Sequence, residues 1–163
     1  ATNTGVRATG TSSVTASDLS VGPGPDFGLE VGESFDDLLT ARLSRVRLVG
    51  ARSAAARFRR IAVQVEDLST EGGPIGFEVA PGLMLPGAAA FSVQRARLSD
   101  HDFGVFLSRF QVGFGERFTG RAIEVRDART AVVLPSCWPR QGRLLSEIRL
   151  TGDIDRSLVF DAP

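Results

Sequence analysis

The feature that most constrains this chain is a strand-length alternation of apolar and polar residues, broken at short intervals by turn-forming residues. Val46 and Leu48 alternate with Arg45 and Arg47 within Leu43–Val49, and Ile61, Val63 and Val65 share one parity within Phe58–Val65. Six more candidates cover Ile75–Val79, Ala88–Leu98, Gly104–Phe114, Thr119–Arg126, Ala131–Leu134 and Arg143–Leu150. A period of two marks an extended strand with one buried face. The breaks are rich in Gly, Pro and Asp: Glu71-Gly72-Gly73-Pro74, Pro81-Gly82, Pro86-Gly87, Ser99 to Asp102, Gly113 to Glu116, Pro135 to Arg140, and Gly152-Asp153. Strands so punctuated, with no strand–helix alternation, predict an all-β antiparallel sandwich or barrel. No internal repeat is evident. Phe106, Phe110, Val112 and Phe114 share a parity and are expected to line the core.

Ahead of the first strand, Ser34-Phe35-Asp36-Asp37 has the chemistry of a helix start, with a hydroxyl cap and two carboxylates at the positive end of the dipole. A helix of roughly two turns is expected before strand alternation begins. Residues 1–31 are rich in Thr, Ser, Gly and Pro and show no apolar period, which predicts an extended N-terminal arm. Residues 32–163 then form a single β-sandwich domain, a size that suits one hydrophobic core.

Composition narrows the chemistry. The chain has one Cys, one His, no Tyr and 19 basic residues, all arginine. A lone cysteine excludes an intrachain disulfide framework and multi-cysteine metal sites. No apolar run approaches the roughly 18 to 20 residues of a membrane-spanning helix. The formal net charge is zero, yet Arg42, Arg45, Arg47, Arg52, Arg57, Arg59 and Arg60 fall in a stretch without an acid. Arginine forks suit phosphate, so Arg42, Arg45, Arg47, Arg57, Arg59 and Arg60 are candidate interface or nucleic-acid contacts. The bland reading, solvated side chains or ion pairs with acids elsewhere, is favoured.

Other constellations are weaker. Asp100-His101-Asp102 joins imidazole to carboxylates, but neighbouring strand residues point opposite ways, and a polar turn is favoured over a metal site or catalytic base. Cys137 has no adjacent base, so nucleophilic catalysis is not expected. Trp138, between Pro135 and Pro139, is either an interface anchor or a plug in its own fold. No nucleophile–base or acid–base set survives, so neither an enzyme nor a cofactor is expected.

Two resemblances bear on function. Asp67-x-Ser69-x-x-Gly72 resembles half of the cyclic-dinucleotide motif of PilZ barrels, although the stretch upstream has no Arg-x-x-x-Arg pair. Gly32-Glu-Ser-Phe-Asp-Asp-Leu-Leu-Thr-Ala-Arg-Leu43, with the polar arm before it and eight strands after it, resembles capsid proteins of picorna-like viruses. That resemblance implies an eight-stranded antiparallel jelly roll with one short helix and an arm. It implies a structural, non-enzymatic coat subunit of an icosahedral virion, assembling with copies of itself or sister capsid chains around the genome. The alternatives are a PilZ-like regulatory barrel that binds a cyclic dinucleotide, or a phage tail or decoration protein.

Overall fold

The computed structural model describes residues 3–9, 13–32, 40–59, 62–80, 90–107, 117–135 and 145–161. They form ten strands: β1 (Thr4–Ala8), β2 (Ser13–Ser17), β3 (Ser20–Val21), β4 (Phe27–Val31), β5 (Thr40–Val49), β6 (Ala54–Arg59), β7 (Ala62–Ala80), β8 (Ala90–Leu107), β9 (Arg117–Pro135) and β10 (Leu145–Asp161). There is no helix among the described residues. Every pairing is parallel.

Parallel neighbours cannot be joined by a hairpin; the chain must travel back to the same edge before pairing again. Here the return path is itself strand. Leu43, Val65, Val93, Gly120 and Leu145 lie side by side, at sequence intervals of 22, 28, 27 and 25 residues. The chain therefore coils, each circuit lying on the last: a β-solenoid. β7, β8, β9 and β10 each make one turn as a single long strand. β5 with β6, and β2 with β3 and β4, make preceding turns from shorter pieces.

Two columns of sharp bends shape each turn. At the first, Asp18, Arg45, Asp67, Arg95, Ala122 and Glu147 all hold positive φ, between 52° and 58°, and the pairing register stacks them one above another. At the second, Gly50, Gly72, Asp100, Asp127 and Gly152 are stacked likewise, with φ between 49° and 71°. A single left-handed residue turns a strand abruptly while the ladder resumes on either side. The two bends and the passage to the next turn divide each circuit into three flat faces. At the second bend Gly73 (φ 106°) has no alternative residue, because a Cβ there would run into the carbonyl oxygen of Ala51.

The interior is a set of apolar columns, one residue per turn. Val46, Leu68, Ala96 and Ile123 form one, and Leu29, Ala56, Phe77, Val105 and Val132 another, all buried. Phe91 packs on Phe58 with centroids 4.8 Å apart and on Phe77 at 6.1 Å.

The architecture corrects the antiparallel jelly-roll sandwich expected from sequence. The pairing is wholly parallel, and the breaks at Glu71–Pro74, Ser99–Asp102 and Gly152-Asp153 are bends within β7, β8 and β10, not reversals. Ile75–Val79 thus continues the strand that holds Val63 and Val65, and Ala131–Leu134 continues that of Thr119–Arg126. The aromatic parity is also corrected: Val105 and Leu107 point inward, while Phe106 is half-buried and packs edge-on against Phe103 at 5.7 Å. Phe110, Val112 and Phe114 lie outside the described residues, as does the helix expected from Ser34. Within the stretch expected as an extended N-terminal arm, the described residues carry β1–β4, and Phe27, Leu29 and Val31 are buried in the coil.

Candidate functional site

The arginine stretch does not converge. Arg42, Arg45 and Arg47 sit on β5 and Arg57 and Arg59 on β6, so the coil distributes them over different faces. Each has a partner on an adjacent turn. Arg42 Nε donates to Gln64 Oε1 at 3.1 Å, Arg45 Nε to Asp18 Oδ1 at 2.6 Å, and Arg57 Nε to Glu78 Oε2 at 2.7 Å. Arg47 lies 3.9 Å from Glu71, and Arg59 is at the same distance from Glu30. Arg57 also stacks over the Phe27 ring at 3.9 Å. Arg60, Trp138 and Cys137 lie outside the described residues.

These pairs are parts of ladders. Along the first bend the stacked side chains run Asp18, Arg45, Asp67, Arg95, alternating in sign. Arg95 bridges Asp67 and Glu66, and Arg121 reaches Glu147 at 3.1 Å. The arginines hold the Asp18 and Asp67 carboxyls below the ordinary carboxylate range. A second ladder on the third face stacks Arg7, Glu30, Arg57 and Glu78. In-register parallel stacking sets equivalent side chains side by side, so alternation replaces repulsion with attraction and penalises a slipped register.

The PilZ-like residues are accounted for by the same geometry. Asp67 and Gly72 are bend residues, and the Asp67 carboxylate is taken up by Arg95 at 2.6 Å. Asp100-His101-Asp102 lies at the second bend. His101 is buried, only 4% exposed, with Nδ1 3.0 Å from the Gly73 carbonyl and Nε2 2.9 Å from Thr70 Oγ1. A carbonyl only accepts, so Nδ1 carries the proton and Nε2 accepts from the Thr70 hydroxyl. Burial holds the imidazole below its ordinary pKa. Both nitrogens are engaged, and the ring is a structural member of the core. Among the described residues no group of three or more His, Cys, Asp or Glu is placed to hold a metal ion, and no helix is long and apolar enough to cross a membrane.

What the side chains do bring together is an open end. β10 pairs with β9 on one edge, and no strand among the described residues pairs with its other edge. Its inward positions continue the interior columns: Leu150 lies beside Val125, and Leu158 beside Val132. On β9 these positions are buried, whereas on β10 Leu150 is 39% exposed, Leu158 47% and Phe160 60%. With no described strand beside them, these core-facing residues form an apolar surface along an edge of backbone N–H and C=O groups that no described strand pairs. The sequence reading missed this surface. Asp153, Asp155, Arg156 and Ser157 disguise the second half of β10 as loop, and an inward parity does not reveal which strands lie beside it.

The chain matches no protein-family model, no curated protein and no solved structure.

Proposed function

We propose that this chain is a structural building block, a stiff parallel coil that works through contact with other protein chains at its open end and not by turning over a substrate. The observation that carries this reading is the exposure of Leu150, Leu158 and Phe160, three core-facing side chains on an unpaired edge strand. An edge of this kind is costly to leave in water, and pairing with another chain is the direct way to cover it. The ladders support the same reading, because they engage the arginines that would otherwise offer a phosphate-binding patch.

Assembly with copies of itself or with sister chains, expected from the capsid resemblance, is kept within this proposal. The antiparallel jelly roll that tied the expectation to a picorna-like virion is replaced by a parallel coil, so the shell geometry loses its support. A tail or decoration role, in which rods are stacked, fits the coil better than a sandwich-built shell. The test is sedimentation of the full chain and of Leu158→Asp with Phe160→Asp. Wild type is expected above the 17.4 kDa monomer mass, and the double variant at that mass with unchanged circular dichroism. A monomeric wild type at tens of micromolar, a concentration where interfaces of even modest area are populated, sinks the proposal.

A further inference from the structure

We infer that the occupant of the open end is the same end of a second copy of this chain, its β10 paired antiparallel with the first across a two-fold axis; this rests on the reading just given. The large apolar side chains that the described residues leave exposed, Leu150, Leu158 and Phe160, all lie on β10. A contact between two trailing ends covers such side chains on both copies at once, whereas a contact with a leading end covers those of one copy. The leading end also fits poorly. The face of β1 carries seven rungs (β1, β4, β6, β7, β8, β9 and β10), and that of β2 carries six. Seating β2 and β3 of another copy over the start of β10 would put its β1 where the last third of β10 already lies.

The contact runs through that last third, Ile154 to Asp161, on the face that holds Leu158 and Phe160. The coil climbs one rung per circuit and finishes on this face, so the last third projects furthest at the trailing end. Two copies that meet there through a two-fold axis hold their other two faces one further rung, about 4.8 Å, apart. Nothing among the described residues collides, and Leu150, on a neighbouring face, stays outside the contact. Identical edges related by a two-fold axis pair antiparallel, and residues opposite each other must share parity.

Arg156 fixes the register. It is exposed on the inward parity, between Ile154 and Leu158. An inward charge guards a free edge against pairing unless the partner receives it. With Leu158 opposite Leu158 of the other copy on the axis, each Arg156 stands opposite the other copy's Phe160, where the guanidinium can lie over the ring. The coil already uses this contact, with Arg57 over the Phe27 ring at 3.9 Å. The same register sets Asp155 opposite Asp161 at each outer end, a like-charge pair. Eight paired residues at about 3.3 Å each, in a sheet about 10 Å thick, cover roughly 260 Å² per copy. About 520 Å² in total, with like charges at the rim, makes a weak and reversible dimer, populated from tens of micromolar upwards.

The experiment is sedimentation of wild type over rising concentration, with oxidation of Leu158→Cys and of Asp155→Cys in a Cys137→Ser background shown to sediment as wild type. Should that background misfold, Cys137→Ala replaces it. Wild type is expected to level off at twice the 17.4 kDa monomer mass. Leu158→Cys, opposite its own counterpart, is expected to give a disulfide-linked dimer on a non-reducing gel. Should it fail to associate, Ser157→Cys mixed with Val159→Cys reads the same register. Asp155→Cys, six residues along the ladder and about 20 Å from its counterpart, is expected to give no cross-link. Arg156→Ala, with unchanged circular dichroism, is expected to weaken dimerisation about tenfold. Unchanged or tighter association of that variant overturns the register, since Arg156 would then be only a guard. Masses that climb beyond the dimer, or a dimer that these cysteines do not cross-link, overturn the two-fold contact while leaving assembly standing. A chain that stays monomeric throughout overturns both readings.

Discussion

His101 shows how one side chain is committed to structure by its surroundings. The ring is neutral and desolvated, donating to Gly73 and accepting from Thr70, and the carboxylates of its chain neighbours Asp100 and Asp102 act on it only through space. Its folded-state pKa is lowered from 6.5, so the unfolded chain binds the proton more readily. Stability from this group is therefore complete above about pH 6.5, and is lost as pH falls below that value towards the folded-state pKa. A lower urea midpoint at pH 5 than at pH 7 is expected, and His101→Leu should flatten that difference. An undiminished pH dependence in the variant would assign the effect elsewhere. Leu98, 1% exposed within its column, contrasts with Arg95, whose bridges lie in solvent. Leu98→Ala should cost about 2 to 5 kcal/mol by leaving a cavity. Arg95→Ala should move the urea midpoint far less than Leu98→Ala, because exposed ion pairs are screened.

At the scale of the strand, the bends are the costly parts. Five of the six residues stacked at the first bend carry charged side chains in a left-handed conformation that disfavours any Cβ by roughly 1 to 2 kcal/mol. Ala122, at φ 55°, bears this strain with no charge to place in the ladder. Ala122→Gly is expected to raise stability by up to about 1 kcal/mol, since relief of strain outweighs the added freedom of the unfolded chain. A loss measured by urea unfolding would show that the bend is not strained. The reverse case is Gly73, where Gly73→Ala adds a carbonyl clash to the strain and should lower the midpoint sharply. Gly22→Ala, with nothing within 4 Å of its Cβ position, serves as the neutral comparison.

Among the described residues the architecture is quasi-one-dimensional: β8 pairs with β7 and β9, β9 pairs with β8 and β10, and the strand order does not close on itself. Stability in such a stack is a sum of rung and neighbour terms, and end rungs have only one neighbour. Amide exchange should be slowest in the inner halves of β7, β8 and β9 and fastest in β1–β3 and β10. Assembly through the ends should slow exchange in β10 in a concentration-dependent way, while Leu158→Asp with Phe160→Asp abolishes that protection. Uniform exchange along the coil would mean that the turns unfold as one unit and that the ends are not weak.

The all-β class was legible in the sequence, as were segments of β5 and of β7 to β10, because side-chain alternation is a local property that a period of two records. Val63 and Val65 point inward as their shared parity predicts. The bend sites were legible as breaks, since Gly72, Asp100 and Gly152 tolerate positive φ. Whether a break reverses the chain or only deflects it depends on where the next segment finds a partner, and Gly or Asp serves both equally. The repeat escaped notice because connections of different length space equivalent residues 22, 28, 27 and 25 apart, and the stacked bend residues share a backbone conformation and not an identity. Parallel pairing, the dispersal of the arginines into ladders, and the exposure of Leu150, Leu158 and Phe160 were decided by the tertiary structure alone. Each follows from which turn lies beside which, and that adjacency is a contact between residues far apart in the chain.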